Sequence, residues 1–200
     1  MGAQMVYVLE YEGNPFAAIY YQWNGYTYPA LTGAKDLIDV WDSYFYDDTL
    51  RNRLRGIIRY LESNGGGIAE ILGFDERAYI ERLYPDTNFI TSGYNRGSGV
   101  IAVSGCGIKQ LIEDARCNQV IIDFSNRIVT SFVYRSWTSE QEVMEAYPTI
   151  GEKELYWAPQ LPADPGNCPF SRLDALIRTF GDYRYSLFRY NNIFIELIGV

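Results

Sequence analysis

The chain has 200 residues, 48% hydrophobic and 21% charged, which are ordinary values for one globular domain, and its formal net charge is −8. It contains no histidine, which removes Ser-His-Asp hydrolysis, imidazole metal ligation and haem held by His. Its acidity argues against a nucleic-acid partner gripped by bulk positive charge, while 18 Tyr, 10 Phe and 4 Trp bring aromatics to 16%.

Met1–Val6 has no basic stretch running into an apolar one, so no signal peptide is expected. No apolar run approaches the ~20 residues of a membrane span. Cys106, Cys117 and Cys168 form no C-x-x-C pair and read as reduced thiols in a cytoplasm. Met5–Tyr11 and Phe16–Trp23 are β-branched and aromatic and flank turn chemistry at Glu12-Gly13-Asn14-Pro15, which predicts a hairpin. Strict alternation puts Ala17, Ile19, Tyr21 and Trp23 on one face, and Phe16, Ala18 and Tyr20 on the other. Both faces are apolar, so the hairpin is expected to be covered twice, by its own helices or by a second subunit.

Residues 24–33 read as a loop, and Leu37, Trp41 and Tyr44 predict a helix over 34–46. The next helix is capped by Asp48 or Thr49. Leu50, Leu54, Ile57 and Leu61 form its apolar stripe, Arg51, Arg55 and Arg59 the stripe beside it, and Gly65–Gly67 its end. Two shorter helices are predicted over 68–72 and 75–83. Val100–Ser104 reads as a buried strand leading through Gly105-Cys106-Gly107 into a helix over 108–116. Gln119–Phe124 and Arg127–Arg135 form a hairpin across Ser125-Asn126, and a helix capped by Thr138 or Ser139 runs to Pro148. Four prolines between Ala158 and Pro169 mark a connection, followed by a helix over 171–180, a stop at Gly181 and a hairpin of Tyr183–Tyr190 with Ile193–Ile198. The mixture of hairpins and helices predicts an α+β fold, with helices on a mixed or antiparallel sheet. Residues 1–157 form the main domain, and 158–200 pack on it as connection, helix and hairpin.

Several constellations bear on chemistry. Arg51, Arg53, Arg55 and Arg59 lie beside a triple glycine. Guanidinium forks match phosphate oxygens, so the stripe is a candidate anion surface, or else a solvated face answering the acidic segment Asp36–Asp48. Ser104-Gly105-Cys106-Gly107 is a glycine turn at a helix start, the place where an anion binds or a thiol is activated. Its spacing matches no phosphate-loop motif, and no His stands by as a base. Acid–base work would fall to Asp, Glu, Tyr, Lys or Cys, with Glu10, Glu12, Asp75, Glu76, Asp114 and Asp123 as the available carboxylates, and Asp36, Asp39 and Asp42 are the nearest set for a hard cation. Linear spacing selects no pair among them. The strand Tyr183–Tyr190 alternates Tyr and Arg, the residue types of binding hot spots.

Ile19-Tyr20-Tyr21-Gln22-Trp23-Asn24-Gly25-Tyr26, then Pro29, Gly33 and the helix with Leu37 and Trp41, resemble an uncharacterised family of bacteriophages, large viruses and some bacteria. That family opens with a hairpin and the motif Ile-Tyr-Arg-Gln-Trp/Phe-Asp-Gly-Tyr-Pro. Here Tyr21 stands for the basic residue and Asn24 for Asp, and the family's following Gly-His-Gly is missing. The resemblance covers about one sixth of the chain, implies a viral accessory role in a host cytoplasm and transfers no catalytic residue. The expected function is therefore non-catalytic binding by a homo-oligomer that blocks a host protein or sequesters a nucleotide-like anion. The ligand residues would be Arg51, Arg55, Arg59, Tyr20, Trp23, Tyr26, Arg184 and Tyr185, with no catalytic residue, metal or cofactor. Two alternatives are an acidic immunity or inhibitor protein for a basic toxin or nuclease, and a carboxylate-based or Mg-dependent hydrolase.

Overall fold

β1 (Met5–Tyr11) and β2 (Asn14–Tyr21) pair antiparallel across Glu12 and Gly13, whose φ angles of 51° and 74° give the backbone of a two-residue hairpin turn. A computed structural model describes residues 4–22, 25, 27–44, 49–71, 74–92, 98–114, 118–134, 176–190 and 196–198. The predicted helix over 138–148, the proline-rich connection, and Trp23 and Tyr26 lie outside them. Between Leu9 and Glu10 the register slips by one residue. This bulge turns Phe16 to the Ala17 face, where its ring lies 5.6 Å from Trp41 and 6.1 Å from Phe124. Strict alternation had placed Phe16 on the opposite face, because one inserted residue reverses the facing of everything beyond it.

α1 spans Thr27–Ser43 and so begins inside the predicted loop. Pro29 falls in its first turn, where a missing N–H costs nothing. Gly33 is required by packing, since a Cβ there would meet Tyr7 Cζ at 3.0 Å. The Tyr7 hydroxyl donates to the Ala30 carbonyl at 2.7 Å and fastens the helix to β1. α2 (Leu50–Ser63) follows the sequence closely: Thr49 is its N-cap, and Leu54, Ile57, Ile58 and Leu61 are buried. Its end is a Schellman turn, with Gly65 at φ 74°, the Gly65 N–H donating to Glu62 O at 3.0 Å and the Gly66 N–H to Leu61 O at 2.8 Å.

β3 (Gly67–Ile71) occupies the stretch predicted as a short helix. It lies between the parallel strands β5 (Ile90–Ser92) and β6 (Val100–Ala102), and β4 (Phe74–Asp75) folds back on its end. Ile68 enters the core on one face and Ala69 on the other. α3 (Glu76–Leu83) is capped by the Asp75 carboxylate, which accepts from Ala78 N–H at 3.1 Å. α4 (Gly105–Asp114) then leads to β7 (Asn118–Asp123) and β8 (Ile128–Tyr134). Their connection is wider than predicted: Phe124–Arg127 form the loop, and the Asp123 carboxylate accepts from the N–H groups of Ser125 at 3.0 Å and Asn126 at 2.9 Å. β9 (Arg184–Tyr190) and β10 (Glu196–Ile198) form the predicted last hairpin. β9 lies parallel to β8, so Arg184–Tyr190 and Glu196–Ile198 continue the same sheet.

The architecture is α+β, and the described residues form a mixed sheet of ten strands, ordered β10-β9-β8-β7-β1-β2-β6-β3-β4 with β5 beside β3. The apolar hairpin is covered on both faces by the chain's own helices. Leu31, Leu37 and Trp41 of α1 and Leu54, Ile57 and Leu61 of α2 pack over Met5, Tyr7, Leu9 and Ile19. Ile108 and Leu111 of α4 pack over Val6, Val8, Ala18 and Tyr20. Two-sided apolarity therefore requires no second subunit here.

Candidate functional site

The arginines of α2 divide by helical phase. At ~100° per residue, Arg51, Arg55 and Arg59 fall within about 80° of one another, and Arg53 lies on another side. The three stripe residues hold the segment after α3. Arg51 Nη2 donates to Leu83 O at 2.8 Å, and its guanidinium lies 5.9 Å from the Tyr84 ring centroid. Arg59 Nη2 reaches Asp86 Oδ2 at 3.0 Å, and Arg55 pairs with the same carboxylate. Among the described residues, their partners lie outside the acidic segment before the helix, in which Asp39 pairs with Lys35 and Asp36 accepts from Tyr60 Oη at 3.2 Å. Desolvation, and then that carboxylate, push the Tyr60 hydroxyl up to about 12.

The other expected ligand residues do not join the stripe. Tyr20 is buried under α4, on the sheet face opposite α2, and its hydroxyl donates to Gln22 Oε1 at 2.6 Å. Arg184 is exposed, with its N–H on Arg127 O at 2.8 Å, while the next residue, Tyr185, is buried 6.2 Å from the Phe180 ring. Alternation along β9 thus separates two residues that sequence reasoning had grouped.

The structure gathers a different set at the ends of β1 and β7. Trp41, in the last turns of α1, stacks on Phe124 with centroids 3.9 Å apart and planes 10° apart, and Tyr11 and Phe16 close around it. The Arg53 guanidinium lies 4.8 Å from the Trp41 centroid. Phe124 meets Tyr183 edge-on at 6.5 Å, and Arg127 lies 5.5 Å from the Tyr183 ring while pairing with Asp182. Asp42 is exposed beside this assembly. Its carboxyl is pushed up from the ordinary range, first by desolvation and then by Asp182 and Asp39, against the pull of Arg127 and Arg53. Burial, then Asp42, pushes the Tyr183 hydroxyl up as well. Arg53 Nε and Tyr183 Oη are both buried and find no hydrogen-bond partner among the described residues.

Phase was the one signal that separated Arg53 from its neighbours. Nothing in linear sequence joined it to Asp42, Arg127, Asp182 and Tyr183, which come from three other parts of the chain.

The Ser104-Gly105-Cys106-Gly107 turn holds an anion supplied by the protein itself. Glu76, fully buried at the start of α3, accepts from Val103 N–H and Ser104 N–H, each at 3.3 Å, and from the Ser104 hydroxyl. Ser104 Oγ in turn accepts from Gly107 N–H at 2.9 Å and caps α4. Cys106 is a free, exposed thiol.

Among the described residues, no group of three or more His, Cys, Asp or Glu is arranged to hold a metal ion, and no helix is long and apolar enough to cross a membrane. Comparison with protein-family models, with curated proteins and with solved structures found no match.

Proposed function

We propose that this protein is a binding domain rather than a catalyst, and that it takes a small polar ligand at the Arg53–Trp41–Tyr183 assembly. The observation that supports this reading is that two buried donors of the assembly, Arg53 Nε and Tyr183 Oη, find no partner among the described residues. A buried donor left unsatisfied costs ~1–3 kcal/mol, and native structures keep few of them. Two of them beside an exposed carboxylate fit a site whose complement arrives from outside. Arg55 Nε is likewise buried without a partner among the described residues, but the stripe Arg51, Arg55 and Arg59 suits this role less, because each of its guanidiniums already has an oxygen partner in Leu83 or Asp86. The likeness of Ile19–Tyr26 to a phage and viral family is compatible with a chain that sequesters its ligand.

Titration calorimetry of the whole chain tests the reading, using inorganic phosphate, mono-, di- and cyclic nucleotides and free amino acids. Binding to at least one of these is expected, and Arg53→Gln should weaken it at least tenfold, the equivalent of ~1.4 kcal/mol. No heat across the panel, or heat that Arg53→Gln leaves unchanged, overturns it.

A further inference from the structure

Resting on that binding reading, we infer that the ligand is a zwitterion, a free α-amino acid or a close analogue, and not a phosphate ester. The charges around the assembly decide this. Arg127 is already paired with Asp182, and Asp39 with Lys35. Among the described residues, two groups keep uncommitted charge, Arg53 above the indole and Asp42 at the next residue of α1, and the Tyr183 hydroxyl adds a neutral donor.

A dianion placed on Arg53 would meet the Asp42 carboxylate, and like charges oppose binding. A bare cation placed on Asp42 would meet Arg53. A zwitterion meets neither penalty: its carboxylate takes the Arg53 donors and the Tyr183 hydroxyl, and its ammonium takes the Asp42 carboxylate.

Aromatic geometry disfavours a nucleotide independently. Phe124 lies stacked on the Trp41 indole and the Arg53 guanidinium lies over it. With both neighbours against the ring, little of the indole is left for a base to stack on. Arg127 likewise lies over the Tyr183 ring, and Phe124 meets it edge-on.

The experiment is calorimetry of the full chain with each of the twenty standard L-α-amino acids. Acetate, methylamine, inorganic phosphate and adenosine monophosphate serve as matched probes that carry only part of the chemistry or the wrong charge. At least one amino acid should bind, with acetate and methylamine each at least tenfold weaker. Asp42→Asn and Tyr183→Phe should each weaken the amino acid about tenfold, since each removes one polar contact and little volume. Circular dichroism of both variants reports whether they remain folded. Phosphate or nucleotide binding that depends on Arg53, with every amino acid silent, overturns the zwitterion and leaves the binding reading standing. Amino-acid binding indifferent to Asp42→Asn also overturns it. Silence of every probe overturns both.

Discussion

Glu10 and Asp123 lie side by side on the parallel strands β1 and β7, and the Glu10 carboxyl is pushed up by desolvation and then by its acidic neighbour. A carboxyl whose folded pKa exceeds its unfolded value, ordinarily ~4.3 for Glu, binds its proton more tightly in the folded state. Its cost to stability is absent below the unfolded value, grows as pH rises from there, and is complete above the raised value. Glu10→Gln should therefore raise the melting temperature at pH 7 and leave it nearly unchanged at pH 3. An equal gain at both pH values in thermal melts would contradict the assigned cause. The sequence showed Glu10 and Asp123 as candidate carboxylates but did not show them as neighbours, because the parallel pairing that joins them spans more than a hundred residues. Arg53 is the reverse case: its helical phase was readable, and its partners were not.

At the scale of elements, Glu76 ties α3 to α4. Its carboxylate sits at the start of α4, where backbone N–H groups and the helix dipole favour an anion, and Gly107 makes room for it. A Cβ at Gly107 would lie within contact of Glu76 Oε1 and 2.9 Å from Ala102 Cβ, whereas a Cβ at Gly105 meets nothing within 4 Å. Gly107→Ala should cost about 2–3 kcal/mol in urea unfolding, from forced overpacking and weakened hydrogen bonds to a charged group. Gly105→Ala should cost less than about 0.5 kcal/mol, since it fills open space. Comparable losses in the two variants would argue against the tether. The glycine turn was legible as an anion-favouring helix start, but its occupant was not, because Glu76 lies 28 residues earlier. Helix α2 was legible almost residue for residue, since phase, cap and Schellman glycine all act locally. α1 began seven residues before its predicted start, because the Tyr7 contacts at Ala30 and Gly33 override the weak helix preference of Thr, Pro and Gly. β3 became a strand because β5 and β6 pair with it on both sides, and a five-residue apolar stretch carries too little local signal to choose.

For the molecule as a whole, β1 is the most enclosed strand, paired with β2 and β7 and covered by helices on both faces. Native-state hydrogen exchange should find its amides among the slowest, and those of the edge strands β4, β5 and β10 among the fastest, because local opening needs little loss of buried contact at an edge. Protection in β10 equal to that in β1 would contradict this order. By itself, the sequence determined the chemistry removed by the absence of His, the α+β class, the apolar faces of the first hairpin and the boundaries of α2. Each follows from composition or from contacts within a few residues. Only the tertiary structure decided that α1, α2 and α4 cover that hairpin, that a bulge turns Phe16 toward Trp41, and that Arg53 lies over Trp41 and Arg127 over Tyr183. Those outcomes depend on strand register and crossovers between distant segments, and no local pattern encodes which segments come together.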